Sequence, residues 1–355
     1  MCRARLVNLL LLAVVLGCTN TEPQSSRRQP AEATVRLANW VATARLKKHV
    51  RELADDRYEG RNAGYPGERR AAQYIAGRFR ELGLRPMGDR LSGGKSFLQG
   101  FEFVPRRPPS PTKSMKSTNV LALLEGSDPK LKSEFVLVGA HHDGQGMEGQ
   151  ADPGRDLAGG DPSDRIWNSA DDNASSVAVV LEIACVLSKN RRAVRRSILF
   201  ATFGAEEHGL DGEAAIRDRS LSRCGGSEHY ARHPALPLDR HVAMVNLEVL
   251  GRSPEVNLEA LATDTSSRWN AILERATSST GTRCSAGPLL ESSNGLDHYP
   301  FGRRGIPAIM LGIPGDRSRY HRRHDDADSI DYVRLRESAT YALALTLELA
   351  NGRRP

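Results

Sequence analysis

At 355 residues the chain is long for one small domain and short for two large ones, which fits a single catalytic-size domain behind a leader. Its 39% hydrophobic and 26% charged content excludes wholesale disorder, and 50 Lys and Arg against 43 Asp and Glu leave +7 without a long basic block, so nucleic acid is not an expected partner. The cysteines, Cys2, Cys18, Cys185, Cys224 and Cys284, show neither CxxC spacing nor the density of a stapled scaffold, so the fold must rest on its core.

Arg3 and Arg5 precede an apolar run from Leu6 to Leu16, interrupted only by Asn8 and followed by Gly17-Cys18. That run is too short to span a bilayer, and residues 1–17 read as an export signal. Val15-Leu16-Gly17-Cys18 also resembles a bacterial lipobox, in which the thiol of Cys18 is lipidated and becomes the new N-terminus; ordinary secretion is the alternative. The expected location is the bacterial cell envelope, with the membrane as a partner through the lipid on Cys18. Residues 18–30, rich in Ser, Gln, Pro and Arg, read as a disordered tether, and residues 31–355 as one catalytic domain.

Trp40-Val41, Ala44, Leu46 to Val50 and Leu53 trace a helical face, and Gly67 to Leu82 predicts a second helix stopped by Gly83. The Pro-, Arg- and Lys-rich stretch Val104 to Ser117 predicts a surface loop. Strand patterns follow at Asn119 to Leu124, Phe135 to Ala140, Ser197 to Phe203, Val242 to Val249 and Ile306 to Ile313, interleaved with helical patterns at Ser175 to Leu187, Ser267 to Ser278 and Val333 to Leu349. Near-continuous apolar runs such as Phe135-Val136-Leu137-Val138 suit strands covered on both faces. The expected fold is α/β, a three-layer sandwich with a central mixed, mostly parallel sheet flanked by helices. In such sheets the functional crevice forms at the carboxyl ends of the strands.

The acids and imidazoles fall at those ends. His141-His142-Asp143 follows one strand, Gly204-Ala205-Glu206-Glu207 another, Glu248 closes a third, Tyr320-His321 follows the last, and Asp171-Asp172-Asn173 opens a helix. Nitrogen and oxygen donors without thiolate favour zinc or a similar divalent metal. Two zinc ions would be balanced by Asp172, Glu207, Glu248 and a bridging hydroxide, a neutrality that a partly buried site needs.

Taken together and in this order, these segments resemble the di-zinc aminopeptidases that share a fold with glutamate carboxypeptidase and the glutaminyl cyclases. The resemblance rests on Leu53 to Arg61, Gly64-Tyr65-Pro66-Gly67-Glu68, Gly139-Ala140-His141-His142-Asp143, Ala170-Asp171-Asp172-Asn173-Ala174-Ser175, Phe203 to Leu210, Asp297-His298-Tyr299-Pro300-Phe301 and Tyr320-His321. It implies that His141, Asp172 and Glu248 bind one zinc and Asp172, Glu207 and His321 a second, with Asp172 bridging and the bond Asp172-Asn173 in the cis form. It also implies that Asp143 fixes the tautomer of His141 from behind. Two features depart from the family's pattern: Glu248 stands where most members have aspartate, and Gly212 to Gly226, with Arg217, Arg219, Arg223 and Cys224, looks like an insertion.

By the same resemblance Glu206 is the free catalytic carboxylate that takes the proton of the attacking water and passes it to the leaving amine. Tyr320 either donates to the oxyanion or packs beside His321, and Asp297 and His298 are candidates for the substrate pocket. His142, on the opposite face of its strand from His141, reads as structural or as a support to the ligands. Cys185 is expected to be buried and inert, while Cys224 and Cys284 either pair or stay free. The implied function is an exported aminopeptidase acting on peptides with a free N-terminus. The alternatives are a glutaminyl-peptide cyclotransferase with a single zinc and a metal-free binding relative.

Overall fold

In the computed structural model the described residues are 34–103, 105, 114–150, 161, 163–207, 224–252, 257–288, 293–313 and 319–355. The leader, Cys18, the tether and all but the end of the Gly212 to Gly226 stretch lie outside them.

The centre of the molecule is a sheet of nine strands: β1 (Arg85–Pro86), β2 (Leu98–Phe103), β3 (Met115–Leu124), β4 (Phe135–His141), β5 (Ser197–Phe203), β6 (His241–Glu248), β7 (Leu258–Leu261), β8 (Cys284–Gly287) and β9 (Ala308–Gly312). Their order across the sheet is β1-β3-β5-β4-β6-β9-β7-β8, with β2 also pairing with β3. The sheet is mixed, as expected. β5, β4, β6 and β9 run parallel at its centre, while β3 joins β5 and β7 joins β9 antiparallel.

Every residue of β4, β5 and β6 is buried, so both faces must be covered. Alternation divides the side chains: Val136, Val138 and Ala140 join one apolar cluster, Phe135 and Leu137 the other. The larger cluster lies under helices α1 (Thr43–Leu53), α2 (Pro66–Glu81), α3 (Ser176–Lys189), α5 (Trp269–Thr280) and α6 (Tyr332–Asn351). The smaller is closed by α4 (Gly225–Arg232), through Tyr230, and by the helical turn Tyr299–Gly302, through Phe301. α3 is buried without interruption from Ser176 to Leu187, so it has no polar stripe and behaves as a core helix.

Four strands carry no readable sequence signal, of which β1 is only two residues long. β7 and β8 have four residues each and are half-exposed, and β2 alternates between buried and exposed within a single hairpin-like pairing. That pairing, Phe103 opposite Met115 through Leu98 opposite Val120, also draws Met115 to Ser117 out of the expected loop and into β3. α1 starts at Thr43 rather than near Trp40, because the amide of Ala42 donates to the buried carboxylate of Glu182 on α3 at 2.7 Å, a tertiary cap no local pattern announces.

His49 on α1 is buried with its Nδ1 2.6 Å from the hydroxyl of Tyr74 on α2. Burial, helped by Arg78, Lys48 and Arg45, pushes its pKa from 6.5 down to about 4. The unfolded chain therefore binds a proton at this site at higher pH than the folded chain does. Stability is intact above the unfolded value and declines as pH falls from 6.5 toward about 4, by roughly 3 kcal/mol at most from this residue. Denaturant titrations from pH 7 to pH 4 should show a shallower decline for His49→Gln than for the parent; parallel curves would contradict the assignment.

Candidate metal centre

β4 and β6 are parallel neighbours whose last register pair is Asn246 opposite Gly139. Two residues further along each strand, His141 and Glu248 reach the same carboxyl edge on the same face, and the Nε2 of His141 lies 2.9 Å from Oε1 of Glu248. On the other side of β4, His141 pairs in register with Phe203, so the turn that follows β5 begins beside it. Ala205 takes a left-handed conformation there (φ 56°), which turns Glu206 and Glu207 back over the strand ends.

Asp143 anchors that turn. Its Oδ1 accepts the amide of Glu206 and its Oδ2 the amide of Glu207, each at 3.1 Å. The Nδ1 of His141 lies 3.2 Å from the backbone carbonyl of Asp143 and 3.6 Å from its Oδ1. Asp143 thus acts from behind His141, with its carbonyl as the nearer acceptor and its carboxylate holding the two glutamates. A proton on Nδ1 leaves Nε2 as a lone-pair donor facing the crevice.

Asp172 sits in the turn Ala170–Ser175 ahead of α3, and the bond Asp172-Asn173 is cis. The side chain of Asn173 ties this turn to the end of β6: its Nδ2 donates to the carbonyl of Leu247 at 3.1 Å and its Oδ1 accepts the amide of Val249 at 3.2 Å. Asp172 divides its carboxylate. Oδ1 lies 3.1 Å from Nε2 of His141, and Oδ2 lies 3.0 Å from Nε2 of His321, which is itself 3.2 Å from Oε1 of Glu207. Two donor sets result, His141, Asp172 and Glu248 on one side and Asp172, Glu207 and His321 on the other. Zinc–donor bonds of about 2.0–2.2 Å in a tetrahedral arrangement place adjacent donors roughly 3.3–3.6 Å apart. The observed spacings of 2.9 to 3.2 Å are a little shorter, as direct hydrogen-bonded contacts are, so the donors need part by only a few tenths of an ångström, and their number and chemistry fit a pair of such ions.

The electrostatics carry the same message. Burial lowers the pKa of both imidazoles, but the carboxylates outweigh it. Glu248 and Glu206 hold His141 well above the ordinary range, and Glu207 and Asp172 lift His321 to about 9. Burial raises Asp172, yet His141 and His321 overcome it and hold its carboxyl well below the usual range. Glu206 is raised well above that range by burial and by Glu207, Glu248 and Asp297. So many carboxylates in one buried crevice need cations, and the imidazoles supply them only by taking protons that a metal would displace.

The other residues singled out in the sequence are placed as follows. The ring of Tyr320 stacks on His321 at 3.7 Å between centroids. Although the residue is 40% exposed, burial of its phenol and the charges of Asp172, Glu207 and Glu206 raise its pKa, so it remains an O–H donor. Asp297 is fully buried and pushed up by that burial to about 7, against the pull of His141. His298 is buried with Nε2 2.9 Å from Oγ of Ser293, and burial lowers its pKa to about 3. His142 lies with its Nε2 4.0 Å from Glu68 and is lowered to about 4 by burial. Among the described residues Cys185, Cys224 and Cys284 form no disulfide with one another, and the Sγ of Cys224 is 3.7 Å from Oε1 of Glu206.

Two supporting residues went unread in the sequence although both lie inside the quoted motifs. Arg61 is buried and donates to the carbonyls of Leu53, His142, Asn168 and Ser169, joining the start of α1's following turn to the two ligand-bearing loops. Glu68 is buried, accepts the amide of Gly64 at 2.6 Å and the hydroxyl of Ser117, and is raised by burial to about 8. A charged residue in a helical or turn motif gives no local sign that it is buried.

Replacing Asp143 by Ala strands two amide donors under the site, at a cost of about 1–3 kcal/mol for each donor that stays unsatisfied. Chemical denaturation of metal-free protein should show Asp143→Ala less stable than Asp143→Asn, which keeps one carbonyl acceptor. Equal stability of the two variants would contradict this role.

The family model for peptidase family M28 matches residues 119–346. Among curated proteins, the aminopeptidase NAALADL1 of Rattus norvegicus is 38% identical over 81 residues, 22% of this chain and only 11% of that protein. Among solved structures, an aminopeptidase from Aneurinibacillus sp. strain AM-1 superposes with a TM-score of 0.67 at 17% identity, covering 90% of this chain and 97% of that one. The glutaminyl cyclase of Porphyromonas gingivalis gives 0.64 at 18% identity, covering 86% and 97%. At these identities the two structures show a shared fold, and the family match spans well over half of the sequence, including His141, Asp172, Glu206, Glu207, Glu248 and His321. The chain belongs to peptidase family M28.

Proposed function

We propose that the protein is an aminopeptidase that uses two zinc ions, one held by His141, Asp172 and Glu248 and the other by Asp172, Glu207 and His321. The observation that carries the reading is the split of one buried carboxylate, with one oxygen of Asp172 committed to each donor set. When bound, zinc supplies an activated water near neutral pH and polarises the scissile carbonyl.

The chain's own residues do the rest. Glu206 belongs to neither donor set, and burial together with its acidic neighbours raises its affinity for a proton. It is therefore suited to take the proton of the attacking water and deliver it to the amine that leaves. Asp143, by holding the amides of Glu206 and Glu207, keeps the base and the neighbouring ligand in fixed relation. Tyr320, an O–H donor stacked on His321, is placed to donate to the oxygen of the tetrahedral species. Asp297, raised by burial to about 7 and so only partly ionised near neutral pH, takes its full charge when a cation approaches, which favours a substrate bearing a free ammonium group over a blocked one.

The competing reading is a glutaminyl cyclase with a single zinc. Two complete donor sets, rather than one, favour hydrolysis. Export, and anchoring through Cys18, belong to the same proposal and are supported by the Arg3 to Cys18 leader pattern. Among the described residues no helix is long and apolar enough to cross a membrane.

A panel of aminoacyl and dipeptide substrates, their acetylated forms and an N-terminal glutaminyl peptide tests the proposal. Hydrolysis of the free-amine substrates, released amino acid and no turnover of acetylated ones are expected. Ammonia release from the glutaminyl peptide without amino acid release would favour cyclisation instead. Glu206→Gln should lose about 10²–10⁴-fold in turnover while its zinc content stays that of the parent; near-normal turnover would remove Glu206 from its role.

A further inference from the structure

Behind the bridging aspartate lies a buried ionic cluster outside both donor sets. Arg252 is 3% exposed, Asp171 is fully buried and Asp325 is 1% exposed. The Nε of Arg252 lies 2.7 Å from Oδ2 of Asp171, and one of its terminal nitrogens lies 3.2 Å from Oδ1 of Asp325. One guanidinium thus serves two carboxylates, the forked geometry that a lysine cannot reproduce.

The three residues come from three of the five segments that carry the candidate ligands. Asp171 precedes Asp172, Arg252 follows Glu248 by four positions, and Asp325 follows His321 by four. The two aspartates also grip neighbouring backbone. Oδ1 of Asp325 accepts the amide of Asp171 at 3.0 Å, and its Oδ2 accepts the amide of Asp172 at 3.2 Å. The carbonyl of Asp325 accepts the amide of Ala170 at 2.8 Å. Oδ1 of Asp171 accepts the amide of Gly251 at 2.7 Å, which fixes the chain just after Glu248.

We propose that Arg252 is a positioning residue: by clasping Asp171 and Asp325 it holds the loops bearing Asp172, Glu248 and His321 in the register that both metal ions require. The inference rests on the metal-binding reading of those ligands. Without the fork, the loops keep their backbone hydrogen bonds but lose a group that opposes two buried carboxylates and couples three segments at once. The ligand set is then less preorganised, and the entropy of ordering it falls on metal binding.

The test compares the parent with Arg252→Lys, which keeps the charge but cannot fork, in two measurements: the zinc dissociation constant by competition with a chromophoric chelator, and the unfolding midpoint of the metal-free protein. The expected result is about a 10–100-fold weaker zinc affinity with a nearly unchanged metal-free midpoint. Zinc affinity within twofold of the parent, or a loss of affinity that only follows a collapsed metal-free midpoint, would overturn the proposal. If Arg252→Lys does not fold, Asp325→Asn takes its place, since the amide oxygen still accepts from one backbone amide while the second arm of the fork is lost; failure of both to fold would assign the cluster to the fold and overturn the proposal. A parent protein that binds no zinc would instead overturn the metal-binding reading, so the two failures are distinguishable.

Discussion

One carboxylate shared between two imidazoles is the constraint around which the crevice is arranged. Asp172 can face His141 with one oxygen and His321 with the other only if the turn before α3, the ends of β4 and β6 and the segment after β9 all arrive at one point. Each of those segments is delivered by a fully buried parallel strand or by the core helix α3. The burial that stabilises the sheet is therefore also what fixes the ligands, because a slip of one residue in any central strand would turn its terminal side chain to the opposite face.

The polar groups around the crevice form two layers with different tasks. The inner layer is a buried excess of carboxylate over imidazole; burial first, and the neighbouring carboxylates after it, raise Glu206 and Asp297 and make the site costly to keep without cations. The outer layer neutralises and orients: Asp143 under the two glutamates, Arg61 across four carbonyls and Arg252 between two aspartates. Among the described residues Arg61 pairs with no carboxylate and donates to four backbone oxygens, and burial lowers its pKa to about 10 even with Asp325 and Asp143 nearby. Such groups add little net stability over an apolar core, and their value lies in defining one arrangement of loops.

The central strands and long helices were legible because their apolar residues recur over buried runs: Ser197–Phe203 coincides with the expected strand, and the C-terminal helix differs by one residue at its start and two at its end. The candidate donors were legible as a group because a parallel sheet collects its strand ends at one edge, and the structure brings them together there; their division between two ions came from the family resemblance. What could not be read depends on tertiary partners. β7 and β8 are strands only because they pair with β9 and with each other, and Met115 is in β3 only because Phe103 lies opposite. The roles of Arg61, Glu68 and Arg252 were likewise hidden, since a buried arginine and a surface arginine look alike in a sequence without alignment. Asp143 was expected to support His141 from behind; it lies there with its carbonyl 3.2 Å and its Oδ1 3.6 Å from the ring nitrogen, and the second task of its carboxylate, holding the amides of Glu206 and Glu207, had no sequence signal.

The account stands or falls on two cations flanking Asp172. Anomalous diffraction from crystals grown with zinc, recorded on either side of the zinc absorption edge, addresses this without reference to turnover. Two peaks are predicted, one in contact with His141 and Glu248, the other with Glu207 and His321, and both touching Asp172. A single peak, or density at neither donor set in protein that retains activity, would contradict it.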